Sequence, residues 1–389
     1  MTYANRTLVF LLHFAFFLTG ISTVLIGQVL PILSNKLALN DEQSGQLFIA
    51  QFVGSVTGVF IFNYLLKKFG FIKTILFGLV SFTLAAWLIN SDLPAIVYLG
   101  FFINGIGAGT SLPAINMFIA EINLLRQARA LNFLNFFWGF GAIVSQPFVA
   151  FFSSRQSILT PTLILSISFF LLALAIIFST AKTGSERIEK NSDEIVSVPI
   201  WNNPAAWLIA FFNFLNVGLE SGMGGWLTTY SARFSGGESH WLSATPVFFL
   251  FFVVGRGFAP LSFRLLDENR FIFISLLIFT TGIVLIILAQ NYLLLFGGAA
   301  VAGFGTAAVF PTNLARFTKF FGESAMRNGT PFFVCGSLGG AFITWLIGFV
   351  SNSSGNLRAG IYVLLGSSLI LIFLQIFISR SPRVSKDGV

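Results

Sequence analysis

Twelve times along the chain, a run of about 20 mostly apolar residues recurs, the length an α-helix needs to cross the bilayer hydrocarbon. The runs lie near 7–32, 43–66, 71–90, 93–119, 128–152 and 157–180, then near 203–231, 241–265, 271–289, 291–315, 327–350 and 357–379. Polar breaks such as Ser34-Asn35-Lys36, Lys67-Lys68-Phe69-Gly70 and Ser91-Asp92-Leu93-Pro94 punctuate them. Only 9 % of the residues are charged, against about 25 % in a soluble domain, so the chain cannot cover itself with polar surface and lipid must be part of its solvent. The pattern predicts an all-α membrane protein with twelve transmembrane helices. Leu8 to Leu30 is too long for a signal-peptide core and lacks a small-residue cleavage site, so it reads as the first span.

Lysine and arginine set the orientation. With the N-terminus in the cytoplasm, seventeen basic residues, from Arg6 through Lys67, Lys68, Arg129 and Arg316 to Lys386, fall inside, and only Lys36, Arg155, Arg233 and Arg358 fall outside. Positive loops stay cytoplasmic, so both termini are expected inside. The net charge of +8 therefore reports topology and not a nucleic-acid partner. A single cysteine, Cys335, excludes an intramolecular disulfide and any cysteine-based zinc site, and His13 and His240 are too far apart in sequence to make a metal centre together. No cofactor is expected. The longest loop, about Ala181 to Pro199, is rich in Ser, Glu, Lys and Asp and reads as a cytoplasmic linker too short for a catalytic domain.

An internal repeat divides the chain. At an offset of 198 residues Gly105 meets Gly303, Gly107 meets Gly305, Pro113 meets Pro311, Arg129 meets Arg327 and Gly141 meets Gly339. Gly20 meets Gly218 and Gly27 meets Gly225 at the same offset. Two pseudo-symmetric six-helix bundles are predicted, residues 1–180 and 201–389, joined by a linker over 181–200. Six spans return the chain to its starting side, so the repeats are parallel and a solute site is expected near midplane between them. Gly105-Ile106-Gly107-Ala108-Gly109 lies in an apolar span with no preceding strand, so close helix packing explains it better than a nucleotide loop.

The two-fold, six-helix plan resembles the major facilitator superfamily, and in detail its fucose–galactose–glucose:proton symporter branch. The resembling stretches are Gly27-Gln28-Val29-Leu30-Pro31, Gly45-Gln46-Leu47-Phe48, Gly218-Leu219-Glu220, Gly224-Gly225-Trp226, Gly255-Arg256 and Phe310-Pro311-Thr312. The resemblance implies the major facilitator fold, rocker-like alternating access and a sugar-like solute. There are departures. The superfamily's motif between the second and third helices carries an acid where Asn63-Tyr64-Leu65-Leu66-Lys67-Lys68-Phe69-Gly70 has lysine. The coupling carboxylates of fucose permease align with Gly27 and Thr110, which carry no proton.

Ionisable side chains deep in a membrane mark pathways or pairs. Two stand well inside spans: Glu220 in the seventh and Arg256 in the eighth, with Arg256 expected roughly 10 Å closer to the cytoplasm at 1.5 Å per residue. Glu220 is the candidate proton carrier and Arg256 its candidate partner; a static link between neighbouring helices is the competing reading for both. Uncharged polar residues form stripes. Asn213, Asn216 and Glu220 share a face of the seventh span; Asn132, Asn135, Gly139 and Gln146 share one of the fifth. Asn104 and Ser111 share a face of the fourth, Asn313 and Arg316 one of the tenth, and Gln28 and Gln51 are lone amides in the first and second. Singly each serves equally as interhelical glue. Together, amides that both donate and accept suit a neutral, hydroxyl-rich solute, and Trp138 and Trp226 offer flat surfaces for a sugar ring or for packing. His13 reads as a packing residue.

The expected function is secondary transport of a small polar organic solute, most simply a sugar, across a bacterial-type inner membrane by a monomer, with protons as candidate coupling ion. Export of a drug, siderophore or metabolite is the alternative. A receptor without transport lacks an extramembrane domain to support it, and a membrane enzyme lacks a metal cluster, nucleophile–base pair or phosphate loop.

Overall fold

The computed structural model describes residues 6–123, 127–154, 157–181, 200–234, 243–263, 265–322 and 328–380. Most of the expected linker, along with Arg126, His240 and Arg327, lies outside the described residues. The helices are α1 (Arg6–Lys36), α2 (Asp41–Leu88), α3 (Pro94–Ile122), α4 (Gln127–Phe152), α5 (Leu159–Ala181) and α6 (Pro204–Phe234). They continue as α7 (Thr245–Ser262), α8 (Glu268–Leu288), α9 (Tyr292–Thr306), α10 (Val309–Phe321), α11 (Thr330–Ser354) and α12 (Leu357–Arg380). Among the described residues, ten stretches are long and apolar enough to cross a membrane, α9 and α10 counting together as one. The fold is therefore an all-α, multi-span membrane fold. Although 31 residues long, α6 is not among the ten; its two asparagines, glutamate and several glycines make it the least lipid-like of the long helices. Exposed faces elsewhere carry Phe10, Phe60, Phe151, Phe178 and Phe373, as a surface bathed in lipid requires.

Start and stop signals account for the boundaries. Asn40 caps α2 in a capping box with Gln43, Asp267 caps α8 and Asn291 caps α9, while Pro94 opens α3. The 48 residues of α2 hold two of the expected spans. They are divided at Gly70, whose φ of 78° only glycine adopts freely. Gly54 and Gly58 in the first half and Gly78 and Phe82 in the second both pack on residues 102–111 of α3, so the chain folds back on itself at that one residue.

The chain forms two compact units, the first holding α1–α5 and the second α6–α12. In the first, α1 lies against α4 so closely that a Cβ on Gly141 would stand 2.1 Å from the Phe17 carbonyl oxygen. Gly105 of α3 approaches the Gln51 carbonyl of α2 in the same way, and Phe169 of α5 stacks on Phe82 at 4.8 Å. The second unit repeats this design. A Cβ on Gly339 of α11 would stand 1.8 Å from the Phe214 carbonyl oxygen of α6, one on Gly303 of α9 would meet the Phe248 carbonyl of α7 at 2.1 Å, and Gly305 faces Phe279 of α8. Two of the glycine pairs that match at 198 residues, Gly105/Gly303 and Gly141/Gly339, thus stand where helix backbones touch in both units.

Candidate functional site

In the first unit the polar side chains tie four helices together. Asn104 of α3 donates to Ser22 Oγ of α1 at 2.8 Å and accepts from Gln51 of α2 at 3.1 Å. Gln51 also donates to the Thr23 carbonyl at 2.9 Å, and Trp138 of α4 donates its indole N–H to Thr23 Oγ1 at 3.1 Å. Asn104 therefore has both ends of its amide in use, and this network, buried except at Thr23 and Trp138, fixes α1 to its neighbours. The other expected residues lie apart from it. Ser111 donates to Gly107 of its own helix and abuts Gly78; Gln28 reaches back to Val24; Asn135 reaches back to Leu131 while half-buried; and Asn132 is exposed. His13 bonds the Val9 carbonyl and packs between the rings of Phe133 and Phe137, a packing residue.

In the second unit several buried side-chain amides are incompletely satisfied. Asn213 of α6 donates to the Phe332 carbonyl at 3.0 Å, and Asn313 of α10 donates to the Ile209 carbonyl at 3.3 Å. The carbonyl oxygens of both amides, together with Asn216 Nδ2, are buried with no partner among the described residues. Arg316, 6 % exposed, donates through one nitrogen to Gln375 of α12 at 3.0 Å and to Asn269 of α8 at 3.2 Å, lies over the Phe212 ring, and leaves its other terminal nitrogen unpaired. Asn213, Asn313 and Arg316 thus converge on one stretch of α6, residues 209–213. Leaving a buried donor or acceptor unpaired costs about 1–3 kcal/mol, and interior amides in such a state are ready partners for an incoming polar molecule. Trp226, by contrast, is wholly buried and spends its N–H on the Thr344 carbonyl at 2.9 Å, so it serves the α6–α11 contact.

Glu220 and Arg256 are half-buried, and among the described residues no ion pair joins them. The guanidinium of Arg256 lies 4.2 Å from the centre of the Phe252 ring, and its Nε donates to the Ala307 carbonyl at 3.1 Å. That carbonyl belongs to a break in the tenth expected span, where α9 ends at Thr306 and α10 begins at Val309. Arg316 was visible in the sequence as a polar residue near a span end, but its hold on Gln375 and Asn269 was not. Gln375, a lone amide within the apolar run 357–379, was the available signal.

Long apolar helices, two units built to one design, and polar side chains held inside each unit define an integral, multi-pass membrane carrier. The family model for the Major Facilitator Superfamily matches residues 12–268, and the chain belongs to that superfamily. It is accordingly a secondary transporter and not an enzyme. It is 22 % identical to the glucose/mannose transporter GlcP of Bacillus subtilis over 96 % of this chain and 95 % of that protein. Among solved structures, it is similar to the Escherichia coli fucose:proton symporter FucP, with a TM-score of 0.64, 18 % identity, and coverage of 96 % of this chain and 98 % of that one. It is also similar to the nucleoside transporter NupG, with a TM-score of 0.76, 13 % identity, and coverage of 96 % and 99 %. At these identities the solved structures establish the fold.

Proposed function

We propose that this transporter moves a small, neutral, hydroxyl-rich solute, a hexose first of all, by alternating access coupled to protons, with Glu220 carrying the proton. The observation that carries this reading is the set of unpaired buried amide atoms on Asn213, Asn216 and Asn313, two acceptors and a donor, which match sugar hydroxyls able to donate and accept at once. The likeness to a protein named as a glucose/mannose transporter supports the same solute class. In this reading Asn213, Asn216 and Asn313 contact the solute from α6 and α10. Gln28, Asn132, Asn135 and Trp138 contribute from the first unit. Asn104, Ser111 and Trp226 hold helices in place.

The reading also takes the chain as twelve spans: the ten apolar stretches, the second half of α2 divided off at Gly70, and α6. Both termini are cytoplasmic, and residues 1–180 and 201–389 form the two bundles on either side of a linker at 181–200. The protein acts as a monomer in a bacterial-type inner membrane. The excess of lysine and arginine in alternate loops supports that orientation.

The test is uptake of labelled glucose and mannose into proteoliposomes under an imposed pH gradient. Wild type should concentrate a hexose, and Glu220→Gln should only equilibrate it. If the variant still concentrates solute, Glu220 is not the coupling group; if neither hexose is moved by wild type, the solute class is wrong.

A further inference from the structure

Two of the idle atoms in the second unit are idle for the same reason. Asn213 and Asn313 each point the amide nitrogen at a main-chain carbonyl, that of Phe332 at 3.0 Å and that of Ile209 at 3.3 Å. A carbonyl can only accept, so each amide must present its nitrogen there and keep its oxygen for something else. Both oxygens are buried and without a partner among the described residues. The two amides meet α6 within one turn, since residues 209 and 213 of a helix lie about 6 Å apart along its axis.

Asn213 can take this pose because of what α11 lacks. A Cβ at Gly336 would stand 2.7 Å from Asn213 Nδ2, 3.2 Å from Val217 Cγ2 and 3.6 Å from Asn213 Cγ, and these three nearest atoms are all side-chain atoms of α6. At Gly339 a Cβ would strike the main chain of Phe214 instead. Gly339 lets two backbones meet; Gly336 makes room for one amide. Alanine at 336 would be accommodated by turning the end of the Asn213 side chain away from α11, and the bond to Phe332 would go with it.

The matching positions of the first unit are filled differently. Gly141 of α4 packs on Phe17 of α1 as Gly339 of α11 packs on Phe214 of α6, so the two helix pairs share a register to within one residue. At the offset of 198 residues Asn213 answers to Ala15 and Gly336 to Trp138, whose indole turns to Thr23. The amide and the room made for it thus occur together in one copy of the repeat and are both missing from the other.

We infer that Gly336 is a positioning residue: carrying no side chain, it lets Asn213 spend its nitrogen on the Phe332 carbonyl, so that the solute meets the idle oxygens of Asn213 and Asn313 and is held by hydroxyls that donate to them. Asn216 Nδ2 is the one buried amide donor left idle among the described residues. The ligand that fits is a sugar or polyol with free hydroxyls; one whose hydroxyls are replaced by fluorine brings no hydrogen to two waiting acceptors. The inference rests on the reading of Asn213 as a solute contact.

Uptake of labelled glucose and mannose into proteoliposomes by the full-length protein, with KM and kcat separated, tests this. Losing one hydrogen bond to a solute costs about tenfold in affinity. Gly336→Ala should therefore raise KM about tenfold and leave kcat near wild type, and Asn213→Ala should do the same. In the double variant the new methyl has no amide to displace, so its KM should match that of Asn213→Ala alone. That comparison decides the matter should Gly336→Ala fail to fold. Monodeoxyfluoro analogues of the transported hexose each exchange one hydroxyl for a group that cannot donate. At least one should compete about tenfold more weakly than the parent sugar in wild type, and as well as the parent in Asn213→Ala. The inference is overturned if Gly336→Ala leaves KM unchanged, if the two KM effects multiply in the double variant, or if every fluorinated analogue competes as well as the parent. Asn213→Ala with the wild-type KM, or a wild type that moves neither hexose, refutes instead the placement of Asn213 or the solute class proposed above, and this inference falls with either.

Discussion

Replacing Gly339 by alanine tests whether backbone contact at the repeat glycines holds the units together. The new methyl would lie 1.8 Å from the Phe214 carbonyl oxygen and 2.5 Å from its carbon. Ordinary contact begins near 3.5 Å, so α6 and α11 must part by roughly 1.5 Å. Neither can give by rotating a side chain, because both colliding partners are main chain. The same displacement stretches the bonds from Asn213 to Phe332 and from Trp226 to Thr344, which span this contact. Overpacking costs about 1–3 kcal/mol and each of the two interhelical bonds about 0.6–2 kcal/mol, so the expected loss is roughly 2–7 kcal/mol. Gly297→Ala in α9 is the control: nothing lies within 4 Å of its Cβ. Removing a glycine from a helix interior should there gain about 0.5–1 kcal/mol. Thermal unfolding in detergent, followed by labelling of the one cysteine, Cys335, with a thiol-reactive fluorophore, reads both. Should Gly339→Ala and Gly297→Ala melt at the same temperature, the close approach is not what stabilises this contact. Gly141→Ala, its mate in the first unit, should lose stability to a similar extent.

Three further outcomes follow from the same geometry. Gly70→Ala meets no atom within 4 Å yet should cost about 1–2 kcal/mol by melting temperature, because φ of 78° is strained for any side chain. Asn104→Leu should cost about 1–2 kcal/mol by leaving Gln51 and Ser22 without their partner, and the double variant with Gln51→Leu should lose less than the two singles combined. Arg316→Lys should lose about 1–2 kcal/mol in the same melt, since a flexible ammonium does not reproduce the planar guanidinium that lies over Phe212 while one of its nitrogens bonds both Gln375 and Asn269.

Much of the fold was legible because lipid leaves a chain few options: span length, loop charge and the glycines matched at 198 residues are all written in residue type. The α9–α10 break was harder to see. Ala307 and Ala308 are good helix formers, and the cause lies four residues downstream in Pro311, whose twin Pro113 sits in an intact helix. What separates the two is Arg256, some 50 residues earlier, and only packing brings it to the carbonyl. The polar stripes were legible as stripes, but not which amides would be used up. Asn104 and Asn213 look alike in sequence; one has both ends engaged and the other an idle oxygen, because Ser22 and Gln51 reach the first and nothing equivalent reaches the second.

The fold-back of α2 leaves no slack. Its two halves are joined through Gly70 alone, with helix on either side up to that residue, so there is no loop to lengthen, nick or decorate. Epitope tags or protease sites placed at this corner would have to unravel helical turns that pack on α3. During synthesis the two spans must settle as one hairpin, since neither has tether enough to wait for the other.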